Sequence, residues 1–148
     1  DKCKICGCKT REIIQKKLDQ IGVLIQDLQN LLEKSREEFL KDTVAIRAAE
    51  RNFQLIVDTA SDILVHALVE MGKETPDTYR QSFLRAGKAK FIPFPLARKL
   101  AESAGLRNIL VHEYDFEEDY ENFYVSAKSF MPVYREFIRQ MMRRIRKK

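Results

Sequence analysis

Residues 43–72, TVAIRAAERNFQLIVDTASDILVHALVEMG, decide the fold class. Ile46, Ala49, Phe53, Ile56, Ala60, Ile63 and Ala67 recur at steps of three and four, which places them in one stripe along a helix. No two-residue alternation of the kind a strand needs competes with it. Gly72 is a suitable stop, and Pro76 follows shortly. Opposite the stripe stand Arg51, Gln54, Asp58 and Asp62, close to one line at about 100° per residue, with Leu55, Val65 and Val69 beside it. Such a mixed face suits a subunit interface, and equally a solvated surface with scattered apolar residues.

Reading outward, residues 11–40 carry Ile14, Leu18, Ile21, Ile25, Leu28 and Leu32 at heptad steps, which predicts one long helix. Downstream, residues 77–87 predict a short helix ending near Gly87, and FIPFP (91–95) is expected to be extended because each proline restricts its neighbour. A further helix is expected from about Pro95 to Tyr114, with the proline tolerated in its first turn. The last runs from about Glu118 to the C-terminus on Tyr120, Phe123, Ala127, Phe130, Tyr134, Phe137 and Met141, with a kink expected at Pro132. Short connections between long helices predict an all-α antiparallel bundle of about four long helices and one short one.

The chain has 148 residues, of which 33% are charged and 45% hydrophobic, with only 5 Gly and 4 Pro. That length suits one domain, and the scarcity of turn residues argues against a sandwich or barrel. Periodic apolar residues argue against disorder, and no apolar run reaches the roughly 18–20 residues of a membrane span. The division expected is a flexible cysteine-containing segment at residues 1–10 and a single helical domain at 11–148. With no apolar leader at the start, the expectation is a soluble cytoplasmic protein without membrane contact.

Residues 135–148 hold Arg135, Arg139, Arg143, Arg144, Arg146, Lys147 and Lys148 against Glu136 alone, while the whole chain has a net charge of +5. The basicity therefore belongs to the C-terminal tail. Arg139, Arg143, Arg144 and Arg146 are candidates for holding RNA phosphates by charge. The plainer reading is a solvated helix end whose cations complement the helix dipole. Acids cluster at Glu113, Asp115, Glu117, Glu118, Asp119 and Glu121, before the last helical pattern. Cys3, Cys6 and Cys8 form a C-x₂-C-x-C window. Zinc takes four ligands, so a site there needs one from elsewhere, and reduced thiols at a terminus are the simpler expectation. No metal and no cofactor is expected, and phosphate-loop, dinucleotide and HExxH patterns are missing.

One segment carries candidate chemistry: Arg107-Asn108-Ile109-Leu110-Val111-His112-Glu113-Tyr114. On a helix Asn108 and His112 share a face, as do Arg107 and Tyr114, while Ile109 and Leu110 would anchor the helix in the core. An imidazole moves protons near neutral pH, and a guanidinium pairs with phosphate in a bidentate manner. Together they suit phosphoryl transfer on RNA, and a symmetric dimer would supply the second histidine that concerted acid and base steps need. On spacing alone, an Arg and a His on a helix are more often structural or solvated. His66, beside Leu64 and Ala67, reads as a partly buried structural histidine.

RNILVHEY resembles the R-x₄-H-x-Y signature of the HepT toxins, members of the HEPN superfamily of helical domains. ERNFQLIVDTASDILVHALVEMG resembles the second helix of that family and TPDTYRQSFLRAG its short helix, so the likeness covers roughly residues 42–142. The resemblance implies a metal-independent endoribonuclease of a HEPN/MNT toxin–antitoxin pair, dimeric, leaving 2′,3′-cyclic phosphate and 5′-hydroxyl ends. It makes Arg107 and His112 catalytic and Asn108 supporting. It makes Tyr114 the residue adenylylated by an MNT-type nucleotidyltransferase antitoxin, which would block RNA with bulk and negative charge. The alternatives are a non-catalytic nucleotide- or substrate-binding partner of a nucleotidyltransferase, and a helical scaffold.

Overall fold

The computed structural model describes residues 8–112 and 116–146. They form six helices: α1 (Cys8–Leu31), α2 (Arg36–Lys41), α3 (Thr43–Glu70), α4 (Tyr79–Lys88), α5 (Phe94–His112) and α6 (Phe116–Arg146). The described residues contain no strand, and none of their helices is long and apolar enough to cross a membrane.

The stripe of residues 14–32 is fully buried, yet it does not belong to one helix of thirty residues. α1 ends at Leu31, and α2 starts afresh behind Ser35. There the Ser35 hydroxyl accepts from the Glu38 N–H at 3.2 Å, and the Glu38 carboxylate accepts from the Ser35 N–H at 3.3 Å. This reciprocal cap satisfies two donors that a helix start leaves open. Asp42 caps α3 in the same spirit, accepting from the Ala45 N–H at 3.0 Å. α2 is thus a six-residue corner, pinned by buried Phe39, that turns the chain from α1 into α3.

Pairings between residues remote in the chain set the helix directions. Lys17 meets Asp62 at 2.7 Å, and Thr10 donates to Glu70, so α1 and α3 run antiparallel. Tyr124 donates to the Lys34 carbonyl at 2.5 Å, placing the start of α6 at the end of α1. α5 and α6 are pinned by the buried hydroxyl pair of Ser103 and Tyr134, 2.7 Å apart. α4 is tied to α3 by Ser61 and Ser82, also 2.7 Å apart. Phe53 meets Phe123 edge-on between α3 and α6, with centroids 5.9 Å apart.

Two glycines have different tasks. Gly72 ends α3 with φ at 78°, a left-handed conformation that glycine adopts without steric cost. Gly87 lies in the last turn of α4, which ends one residue later at Lys88, close to the expected end, and it is buried. A Cβ there would sit 2.6 Å from the Ala97 Cβ, so its absence lets α4 and α5 touch. The turn after α4 falls on Lys90, whose φ is 66°. Only Phe91–Pro93 of FIPFP is non-helical, because Phe94 already opens α5 and Pro95 sits in its first turn.

α6 runs through Pro132 as far as Arg146. Met141 and Ile145 are buried, so the basic segment as far as Arg146 forms the closing turns of a packed helix.

Candidate functional site

Ala101, Ala104 and Leu106 are buried and seat the second half of α5, whereas Ile109 and Leu110, expected as its anchors, are half-buried. This leaves Arg107 at the edge of the core, facing the groove between α3 and the start of α4. Its Nε donates to the Asp58 carboxylate at 3.1 Å. One terminal nitrogen lies 3.4 Å from the Tyr79 hydroxyl, the other 3.4 Å from the Asn108 side-chain oxygen. The guanidinium also stacks on the Tyr79 ring, 4.5 Å from its centroid. Side-chain exposure is 18% for Arg107 and 32% for Asp58, so the pair is shielded from much of the screening that weakens surface ion pairs.

Five N–H groups belong to a guanidinium. With three engaged, two are left for an incoming anion among the described residues. Burial raises the Tyr79 hydroxyl above its usual pKa; the Asp58 charge adds to this and Arg107 opposes it. Tyr79 therefore stays neutral at physiological pH, a fixed ring and hydroxyl on which the arginine rests.

His112 is the last residue of α5, five residues and about 7.5 Å of helix rise beyond Arg107. Its side chain, the whole of Tyr114, and the cysteines at positions 3 and 6 lie outside the described residues. Asn108 is exposed and on the same helical face as position 112.

The polar line on α3 is not a uniform outward face. Asp58 turns to Arg107, Asp62 pairs with Lys17 of α1, and Arg51 is exposed. His66 is exposed, not partly buried as expected, and lies 3.8 Å from Asp62 one turn away. Asp58 stands out in the sequence only as part of that line, without a role. Tyr79 carries no signal there at all, since only the packing of α4 against α5 brings it to Arg107.

The basic residues near the C-terminus do not form one surface. Arg139 is held by Glu136 through two bonds of 3.0 and 2.5 Å. Arg144 donates to the Lys90 carbonyl at 2.9 Å, while Arg146 is exposed and lines a cleft shared with the first turns of α1. The Lys90 turn precedes α5, and Phe94 and Arg107 are thirteen residues apart, about 20 Å along that helix. The basic end thus lies far from Arg107 within one protomer.

This architecture has close counterparts. The chain is 31% identical over 129 residues to a tRNA nuclease HepT from Aphanizomenon flos-aquae (strain 2012/KM1/D3), covering 87% of each. It superimposes with a TM-score of 0.79 on the tri-AMPylated HEPN toxin of Shewanella oneidensis, solved in complex with its MNT antitoxin. The identity there is 25%, over 88% of this chain and 96% of that one. A mutant MntA–HpeT toxin–antitoxin structure gives a TM-score of 0.77 at 25% identity, over 88% and 98% of the two chains. Residues 21–141 match the family described as ribonuclease HepT-like, and the chain belongs to that family within the HEPN helical superfamily.

Proposed function

We propose that this protein is a metal-independent endoribonuclease, the toxin of a HEPN/MNT toxin–antitoxin pair acting in the cytoplasm. The observation that carries the reading is the setting of Arg107. It is half-buried, oriented by Asp58 and Tyr79, and among the described residues keeps two N–H groups for a phosphate, on the helix that ends at His112. In the reaction, the RNA 2′-hydroxyl attacks the adjacent phosphorus and gives its proton to an imidazole. The P–O5′ bond breaks, and a second imidazole protonates the leaving 5′-oxygen, leaving 2′,3′-cyclic phosphate and 5′-hydroxyl ends. Arg107 stabilises the charge that builds on the non-bridging oxygens. One histidine does not supply both proton transfers at once, which is why a homodimer with His112 from each subunit is part of the reading. Asn108 supports the site from the next position.

The named relatives support the choice of substrate and partner: one is a tRNA nuclease, and another is an AMPylated toxin bound to an MNT antitoxin. Adenylylation of Tyr114, two residues beyond His112 in the chain, would add bulk and negative charge, block RNA and silence the enzyme.

The test is cleavage of tRNA and other RNAs in excess chelator, after intact mass has shown that Tyr114 carries no AMP. Cleavage with cyclic phosphate ends is expected, falling by about 10²–10⁴-fold in His112→Ala. Undiminished cutting by that variant would remove His112 from the chemistry. Nucleotide binding without any RNA cleavage by the unmodified dimer would favour the non-catalytic partner of a nucleotidyltransferase.

A further inference from the structure

At the opposite end of the α4–α5 hairpin from Arg107 lies a cleft of about 490 Å³, formed by the turn between those helices and the closing turns of α6. Four cations line it, Lys88, Lys90, Arg143 and Arg144, and no carboxylate does. Lys88, Lys90 and Arg143 form no ion pair among the described residues, although the Glu136 carboxylate, outside the cleft lining, feels the charge of Arg143. Like charges gathered around one concavity repel each other unless an anion enters.

Three observations set this cleft apart from an ordinary solvated charged face. Arg144 is fixed in place: its guanidinium donates to the Lys90 carbonyl at 2.9 Å and lies 5.2 Å from the Phe91 ring centroid. Lys90 occupies the left-handed turn, with φ at 66°, where glycine would serve the backbone better. The turn thus carries a cation at a position that backbone geometry alone would give to glycine. Phe94, on the cleft wall, is 41% exposed, a large apolar ring left in water beside the cations. Cations that follow a phosphate backbone, next to an aromatic face on which a base stacks, are the features by which proteins hold unpaired nucleic acid without reading its sequence. An acidic peptide would use the cations but leave the ring unmatched.

We propose that this cleft is a second RNA-binding site, which grips an unpaired stretch of the substrate about 20 Å from Arg107. Lys88, Lys90 and Arg143 take phosphates, and Phe94 stacks a base. The assignment rests on the ribonuclease reading and adds to it a place where the substrate is held away from the reacting phosphate.

The experiment measures binding of fluorescently labelled single-stranded RNA and of tRNA to the full chain across a salt series. His112→Ala is the background, so that RNA is not consumed. Lys90→Gly and Arg143→Gln are each expected to weaken binding several-fold. Each should also flatten the plot of log affinity against log salt, by about 0.7 for every phosphate of single-stranded RNA that is no longer neutralised. Phe94→Leu keeps the bulk but loses the ring face; it should weaken binding and leave the salt slope alone. Lys90→Gly relieves the left-handed turn, so its melting temperature should not fall, and weaker binding will not reflect poorer folding. Lys41→Gln, on α2, changes the net charge equally at a position away from the cleft and should leave affinity and slope as they are. Wild-type affinity and slope in the cleft variants overturn the proposal, as does an equal loss in Lys41→Gln, which would mean binding by net charge. Loss of antitoxin binding with RNA binding intact would also overturn it, by making the cleft a protein interface. Should the wild-type chain neither bind nor cut RNA, the ribonuclease reading falls with it; RNA cutting by the wild-type chain, while the cleft variants bind normally, removes only the cleft.

Discussion

Arg107 shows how much the setting of one side chain lies in its neighbours. The residue itself is visible in the sequence through the R-x₄-H spacing, but its orientation comes from Asp58, 49 positions earlier, and Tyr79, 28 positions earlier. On the proposed reading Asp58 acts through Arg107, whose guanidinium it holds. Asp58→Asn keeps an acceptor but loses the charge. It is expected to lower kcat for RNA cleavage by about 10–100-fold, the cost of a misplaced group, with a smaller change in KM. Asp58→Glu should recover part of the loss. A matching fall in stability and kcat, measured by denaturant unfolding beside the kinetics, would make Asp58 merely structural.

The elements are joined by small polar locks in an apolar interior. Ser61 with Ser82 joins α3 to α4, and Ser103 with Tyr134 joins α5 to α6. The latter has a pH consequence. Burial raises the Tyr134 hydroxyl well above the ordinary tyrosine range, outweighing the hydrogen bond with Ser103, which lowers it. The folded chain then keeps its proton where the unfolded chain releases it. The unfolded state binds fewer protons above about pH 10, so stability falls as pH rises through that range and is unaffected by this group below it. Thermal melts from about pH 8 to 11 should show this decline. Tyr134→Phe should make it shallower while costing about 1 kcal/mol at neutral pH through the lost hydrogen bond. An unchanged alkaline slope would assign the effect elsewhere. Gly87 works at the same scale, as the point at which α4 and α5 come together.

Over the whole molecule, the α4–α5 hairpin separates two regions of different character. One end holds Arg107 beside an acid and a tyrosine; the other gathers cations about Phe94. Sites that far apart without shared partners are expected to act independently. Asp58→Asn and Lys90→Gly should therefore multiply in their effects on kcat/KM, the first through the rate and the second through affinity. Kinetics of the double variant that depart several-fold from the product would show that the two ends are coupled.

The helical class and the core were legible in the sequence because a three-and-four spacing of apolar residues admits one regular structure. Ile14 to Leu32, Ile46 to Ala67 and Phe123 to Met141 are buried where the stripe requires it, with Phe130 only partly so. The break at Ser35 is marked by Ser35 and Glu38 three apart, a capping pair that the reading of residues 11–40 as one helix passed over. Arg107 and His112 were legible as a short motif on one helix. Proximity between residues remote in the chain was not, because it depends on how helices pack. Asp58 and Tyr79 meet Arg107 only once α3, α4 and α5 have packed together, and the close approach of α4 to α5 depends on Gly87 lacking a side chain. The same holds for the basic residues, a uniform run in sequence. Burial of Met141 and Ile145 made them a helix, and a helix sends successive side chains to different faces. Arg139 therefore turns to Glu136, Arg146 lines a cleft shared with α1, and Arg143 and Arg144 line the cleft beside Lys90.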